Sequence, residues 1–260
     1  MTFQKIIFIQ MEKFNEKNFN ISQCIAGKLE AELLIFLYKL SGDVLTFIEE
    51  KLKGTNIKYR IKSFDDLKSL KATINKENPD LVILTEEKIN PLKHIFTHTN
   101  AEKLLKTIEK YNVIFLQEDE DNIQKALIYV NKEVSEFYIK TAYEFVKKII
   151  GEVTFVYSFY EDFYELTIRK THTEEEAEEI IEAMIEEKEK EIVRKIENAV
   201  QNQPYHLITI LGEPKKEINL FAIERGFNFI IVNSKVKDKT AFIENLQVSL
   251  GIFLDNKEEE

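Results

Sequence analysis

Four histidines, one cysteine and several dense carboxylate runs are the side chains in this 260-residue sequence that could do metal or acid–base chemistry. His94 and His98 are four apart, a spacing that can put two imidazoles on one helix face as metals require. No third ligand accompanies them, and Pro91 together with the Thr97-His-Thr-Asn100 stretch interrupts helical period, so they read as exposed loop histidines. His172 and His206 have no Cys or His neighbour, and surface or strand-end positions account for them. Cys24 is alone, cannot close an intramolecular bridge, and is flanked by Ile21 and Ile25, which predicts a buried structural thiol. The aromatic run Phe155-Val-Tyr-Ser-Phe-Tyr-Glu-Asp-Phe-Tyr164 invites a ligand-stacking reading, but a buried strand start whose later rings cover a helix or an interface explains it with less. Glu174 to Glu191 concentrates Glu at a helix start, which suits the helix dipole and solubility and offers an acidic surface to a partner. None of the phosphate-loop, dinucleotide-fingerprint, nucleophile-elbow or Cys-x-x-Cys patterns occurs, so no reaction is assigned and no metal or catalytic residue is named.

Along the chain, short apolar runs alternate with stretches of helical period, the pattern of strand–helix–strand crossovers in a parallel sheet. In the first half the strands read as Lys5 to Gln10, Leu33 to Tyr38, Ile57 to Ile61, Leu81 to Leu84 and Val113 to Leu116. Helices read as Ile21 to Glu30, Asp43 to Lys53, Asp65 to Lys76 and from Asn100 to about Lys110. The second half repeats this order. Gln4-Lys5 recurs as Gln124-Lys125 and Ala31-Glu32 as Gly151-Glu152, both at an offset of 120, whereas Pro79-Asp-Leu-Val-Ile-Leu84 recurs as Phe227-Asn-Phe-Ile-Ile-Val232 at an offset of 148. About 28 additional residues therefore fall between the second and third strands of the second copy, and they predict a long exposed helix from Glu174 to about Asn202. The acidic run Glu118-Asp-Glu-Asp121 reads as a solvated linker, dividing the chain into a first unit, 1–119, and a second, 120–260.

Composition sets outer bounds. The length suits two domains. Charged residues reach 32%, mostly Lys and Glu, as on thermophile-like surfaces and equally as under a low-GC codon bias. A net charge of −10 disfavours phosphate backbones and anionic lipid, so neither nucleic acid nor membrane is an expected partner. The start lacks a signal-peptide pattern and no apolar run approaches membrane-spanning length, which predicts a cytoplasmic protein.

The second copy carries fragments of a known family: the strand Ala126-Leu-Ile-Tyr-Val130, then His206-Leu-Ile-Thr-Ile-Leu-Gly-Glu-Pro214, a helix to Arg225, and Phe229-Ile-Ile-Val232. With Gly212 and Pro214 as the best single match, the chain resembles the universal stress proteins in a tandem form. The resemblance implies an α/β fold of two tandem five-stranded parallel sheets with flanking helices, of the adenine-nucleotide α-hydrolase-like type. It also implies a ligand crevice between the first and fourth strands of each copy, where strand order reverses. Nucleotide-binding members follow the fourth strand with a glycine-spaced loop; here Thr85-Glu-Glu-Lys-Ile-Asn-Pro91 and Asn233-Ser-Lys-Val-Lys-Asp238 stand instead, without glycine. The first crevice would be lined by Met11, Glu12, Glu86 and Glu87, which repel an anion; the second by Asn131, Lys132, Asn233, Ser234 and Lys235, near Gly212. No cofactor is expected, with ATP or AMP admissible only in the second copy. The functional expectation is a non-catalytic stress-response or regulatory protein acting through a protein partner or self-association, with a nucleotide sensor as the alternative. By the same resemblance the fifth strands, Val113 to Leu116 and Ile252 to Leu254, are sheet edges without a Pro or Lys guard, and they are expected to pair antiparallel within one chain as an intramolecular pseudo-dimer.

Overall fold

The computed structural model describes residues 3–40, 42–86, 104, 107–160, 168–236 and 247–255. Ten strands form one sheet: β1 (Lys5–Met11), β2 (Glu32–Tyr38), β3 (Tyr59–Phe64), β4 (Leu81–Glu86), β5 (Asn112–Gln117), β6 (Ala126–Val130), β7 (Thr154–Phe159), β8 (His206–Leu211), β9 (Phe229–Asn233) and β10 (Ser249–Phe253). Their order is β3-β2-β1-β4-β5-β10-β9-β6-β7-β8. Each half is a parallel run of five with the same internal order, and β5 meets β10 antiparallel, Ile114 facing Gly251. The two apolar edge strands thus cover each other. The junction is tied symmetrically at both ends: Leu254 N–H donates to Asn112 Oδ1 (2.9 Å) and Gln117 N–H to Ser249 Oγ (3.1 Å).

The recurring sequence pairs turn out to be contacts. Asp80 Oδ2 accepts from the backbone N–H of Gln4 (2.8 Å) and Lys5 (2.9 Å), and in the second half Asn228 Oδ1 accepts from Gln124 (3.0 Å) and Lys125 (3.1 Å). A short acceptor before the fourth strand caps the two donors that open the first. Inner strands are buried on both faces, as a parallel sheet covered by helices requires, with Ile6 to Ile9, Leu33 to Leu37 and Phe229 to Val232 at 0–1% exposure.

Six helices are described in full: α1 (Glu16–Leu29), α2 (Gly42–Leu52), α3 (Leu67–Glu77), α4 (Glu136–Ile149), α5 (Glu174–Val200) and α6 (Pro214–Arg225). Helix α1 begins earlier than the apolar period predicts, because Asn15 Oδ1 caps it by accepting from Asn18 N–H. Its buried stripe runs through Asn18, Phe19, Ser22, Ile25, Ala26 and Leu29. Cys24 lies off that stripe and is exposed, contrary to the buried reading; its apolar neighbours in sequence point to another side of the helix. Helix α5 opens with a reciprocal Thr173/Glu176 capping box. It is not exposed throughout: Ile192, Ile196, Ala199 and Val200 bury its C-terminal part, which packs on α4. The linker is likewise more than a solvated run, since Glu120 Oε1 accepts from Asn228 Nδ2 (2.9 Å) and Lys17 pairs with Asp121 (2.8 Å).

One face of the sheet is shared across the halves. Helices α1 and α4 lie against each other, and Lys28 Nζ donates to the Ile149 carbonyl (2.6 Å). Phe3, from the lead into β1, meets Phe145 of α4 at 5.3 Å between ring centroids, and Phe145 meets Phe253 of β10 at 5.1 Å. Among the described residues no helix is long and apolar enough to cross a membrane.

Candidate functional site

Strand order reverses between β1 and β4 and again between β6 and β9, so the carboxyl ends of those strands define two crevices. In the second, the register Ile128↔Ile231 brings the strand ends side by side. Beneath them Tyr138 of α4, fully buried, places its hydroxyl within hydrogen-bond distance of the Tyr129 (2.9 Å) and Ile231 (3.1 Å) carbonyls. Burial pushes that phenol well above its usual value, and burial raises Tyr129 too.

Both loops over this crevice are asparagine turns. Asn131 Oδ1 accepts from Glu133 N–H (2.9 Å) and Val134 N–H (3.1 Å); Asn233 Oδ1, on a side chain 2% exposed, accepts from Lys235 N–H (3.0 Å). The first loop is held from outside by α5, whose Lys195 Nζ donates to the carbonyls of Lys132 (2.6 Å) and Val134 (3.0 Å). It ends at Ser135, which caps α4 through Tyr138 N–H (3.2 Å). The backbone N–H of Ser135 donates to Asp255 Oδ1 (3.0 Å), and Asp255 N–H donates to Ser234 Oγ (3.0 Å). A carboxylate from the segment after β10 thus occupies the N-terminal end of α4.

Of the residues selected from sequence, Asn131, Lys132, Asn233, Ser234 and Lys235 come together at this crevice. Gly212 does not: it directly follows β8, on the far side of β7. There its φ of 110° shapes the turn into α6, its N–H donates to the Phe159 carbonyl (2.9 Å) and its carbonyl accepts from Ser158 Oγ (2.6 Å). Asp255, Ser135 and Lys195 carry no local sequence motif that marks them. The signal for Asp255 lies in the repeat itself, because the register places Asn112 beside Leu81 and Ser249 beside Phe229, making Asp255 the counterpart of Glu118.

An amide stands at the first crevice. Gln10, 2% exposed at the end of β1, accepts at Oε1 from Asn15 N–H (3.2 Å) and Thr85 Oγ1 (3.3 Å), and its Nε2 donates to the Lys13 carbonyl (2.5 Å). Asn15 Nδ2 reaches the Glu118 carbonyl (2.8 Å), and Lys13 Nζ pairs with Glu118 Oε1 (2.9 Å). Glu12 is exposed rather than lining this pocket, because a φ of 48° turns the chain just after β1. Glu87, His94 and His98 lie outside the described residues, as does the side chain of Glu86. His172 is exposed, and His206, also exposed, sits 3.6 Å from Glu152. Among the described residues no group of three or more His, Cys, Asp or Glu could hold a metal ion. Two surface concavities lie away from both crevices, a groove along α5 lined by Glu186, Lys190 and Arg194, and one lined by Lys125, Phe221 and Phe227.

No family model matches the chain, and no curated protein sequence matches it. Solved structures do. A functionally unknown protein from Pseudomonas aeruginosa PAO1 is 15% identical with a TM-score of 0.69, covering 97% of this chain and 92% of its own. A putative universal stress protein from Pseudomonas aeruginosa UCBPP-PA14 is also 15% identical with a TM-score of 0.69, over 96% and 93% of the two chains. A universal stress protein from Archaeoglobus fulgidus is 14% identical with a TM-score of 0.59, over 96% and 98%. The fold is therefore the adenine-nucleotide α-hydrolase-like α/β fold. Within it, the architecture over nearly the whole chain is that of the universal stress proteins.

Proposed function

We propose that this chain is a non-catalytic, cytoplasmic protein of universal stress type that acts in a stress-response or regulatory role through protein contacts, either with a partner or with itself. The observation that carries the reading is that a backbone donor at each switch-point crevice is already engaged by a side chain of the chain itself. The N–H of Asn15 is committed to Gln10, and the N–H of Ser135 to Asp255. Neither Thr85-Glu-Glu nor Asn233-Ser-Lys offers the glycine that lets backbone donors approach a phosphate closely. A second reading, a sensor of ATP or AMP in the second half, draws on the exposed Lys132 and Lys235 that flank that crevice.

Thermal denaturation with ATP and AMP separates the two, because a ligand that binds only the native state raises its stability by mass action. Millimolar nucleotide is expected to leave the melting temperature of the wild-type chain unchanged. A saturable rise that Lys235→Glu abolishes would establish the sensor instead.

A further inference from the structure

Strand β8 ends the sheet, and among the described residues no strand pairs with its outer side. His206 N–H donates to the Val153 carbonyl (2.9 Å) and Gly212 N–H to the Phe159 carbonyl (2.9 Å), so the even-numbered residues address β7. Leu207, Thr209 and Leu211 therefore turn their backbone N–H and C=O groups outward. No charged residue stands between Leu207 and Leu211, and Leu211 is 62% exposed. An uncharged edge with free donors and acceptors is a template for another strand.

The edge's own sequence specifies its partner. Leu207-Ile-Thr-Ile-Leu211 reads the same in both directions. Two copies related by a two-fold axis meet antiparallel; with the axis at Thr209, each Leu207 faces Leu211 of the other copy and each Ile208 faces Ile210. Because Leu207, Thr209 and Leu211 all address outward, every facing pair among them exchanges both backbone hydrogen bonds. Like meets like without a charge on the strand, whereas β3 in the same geometry would set Arg60 and Lys62 against their own copies. Charge complementarity extends to the helix beside the edge. Helix α5 reaches β8 where Glu189 Oε2 accepts from Thr209 Oγ1 (3.0 Å), and its surface groove carries Glu186 and Glu189 together with Lys190 and Arg194. Laid antiparallel across the axis, the acidic turn of one α5 meets the basic turn of the other. We infer that the chain forms a two-fold dimer through β8, continuing one sheet across both copies. Such a dimer gives the self-contact proposed above a definite surface, and its role rests on that reading.

Sedimentation equilibrium of the full chain tests this. Wild type is expected to reach twice the chain mass. Leu211→Lys, a change at an exposed position, is expected to raise the dissociation constant at least about tenfold, since the axis removes two Leu–Leu pairs at once. Cross-linking locates the axis. Antiparallel hydrogen-bonded partners stand about 5.5 Å apart at Cα, within disulfide reach. Thr209→Cys in a Cys24→Ser background is therefore expected to give a covalent dimer on mild oxidation. A wild-type chain monomeric throughout the micromolar range, a dimer indifferent to Leu211→Lys, or one that does not cross-link through the Thr209→Cys thiol would overturn the proposal. Each of those outcomes leaves the thermal response to nucleotide untouched. A saturable response to ATP would instead defeat the protein-contact reading while the dimer stands.

Discussion

Gly251 is a residue at which the sheet leaves little room for a side chain. A methyl group there would stand 3.0 Å from Phe229 Cζ, 3.2 Å from Ile231 Cγ1 and 3.3 Å from Phe253 Cε1. All three neighbours are fully buried, so none can swing away into solvent. Because Gly251 faces Ile114 at the middle of the β5/β10 junction, the strain falls on the seam between the halves. Gly251→Ala is expected to cost about 1–3 kcal/mol, in the range of overpacked cores. Urea unfolding should show this as a lower midpoint with an unchanged slope; an unchanged midpoint would mean that the rings give way more easily than their burial suggests.

Among elements, the two outer strands face the same problem of an unpaired edge, and only one of them carries paired Lys and Arg side chains against it. Edge strand β3 carries Arg60 and Lys62, and both reach Glu77 at the end of α3: Arg60 by two hydrogen bonds of 3.0–3.1 Å, Lys62 by one of 3.0 Å. Arg60 also takes Glu32 (2.8 Å), so charged side chains line the edge and disfavour pairing with a further strand. Edge strand β8 has no such guard, and Leu211 is 62% exposed. Hydrogen bonds from Lys62 and then Arg60 lower the Glu77 carboxyl from 4.5 to about 2. A depressed carboxyl contributes stability that is whole above the unfolded value of 4.5 and is lost as pH falls toward about 2. Glu77→Gln should therefore be less stable than wild type at neutral pH, and the gap should close between about pH 4.5 and pH 2. Parallel stability curves for the two proteins across that window would refute the assignment.

At the scale of the whole molecule, the halves share a core. Phe3 of the first half contacts Phe145 and Phe253 of the second, helices α1 and α4 are in contact, and one buried cluster runs from Ile6 and Phe8 through Ile114 to Phe229 and Phe253. Units coupled this way lose their partner's support when either opens, so thermal unfolding is expected as one cooperative transition. Phe145→Ala, a cavity in the shared face, should cost about 3–5 kcal/mol and move that whole transition. Two separate transitions, of which the substitution moves only one, would show that the seam is weaker than its packing.

The sequence by itself determined the succession of strands and helices along the chain. Fully apolar runs such as Ile6 to Ile9 and Phe229 to Val232 are legible because a parallel strand is buried on both faces, and the offsets of 120 and 148 are legible because duplicated units keep the pairs that touch, such as Lys5 with Asp80 and Lys125 with Asn228. Where burial is partial the signal blurs: β3 is found at Tyr59–Phe64 rather than from Ile57 to Ile61, since an edge strand bearing Arg60 and Lys62 has no continuous apolar run to mark its bounds. That Asn131 and Lys132 lie near Asn233 to Lys235 was legible only through the family resemblance, which implies that the first and fourth strands of a unit are neighbours. Only the tertiary structure decided what fills that site and how the halves join. Asp255 reaches Ser135 across 120 residues, and Leu254 reaches Asn112 across 142. Local periodicity encodes which face of an element is buried, but which donor meets which acceptor across such separations is fixed only when two sheet edges settle into register.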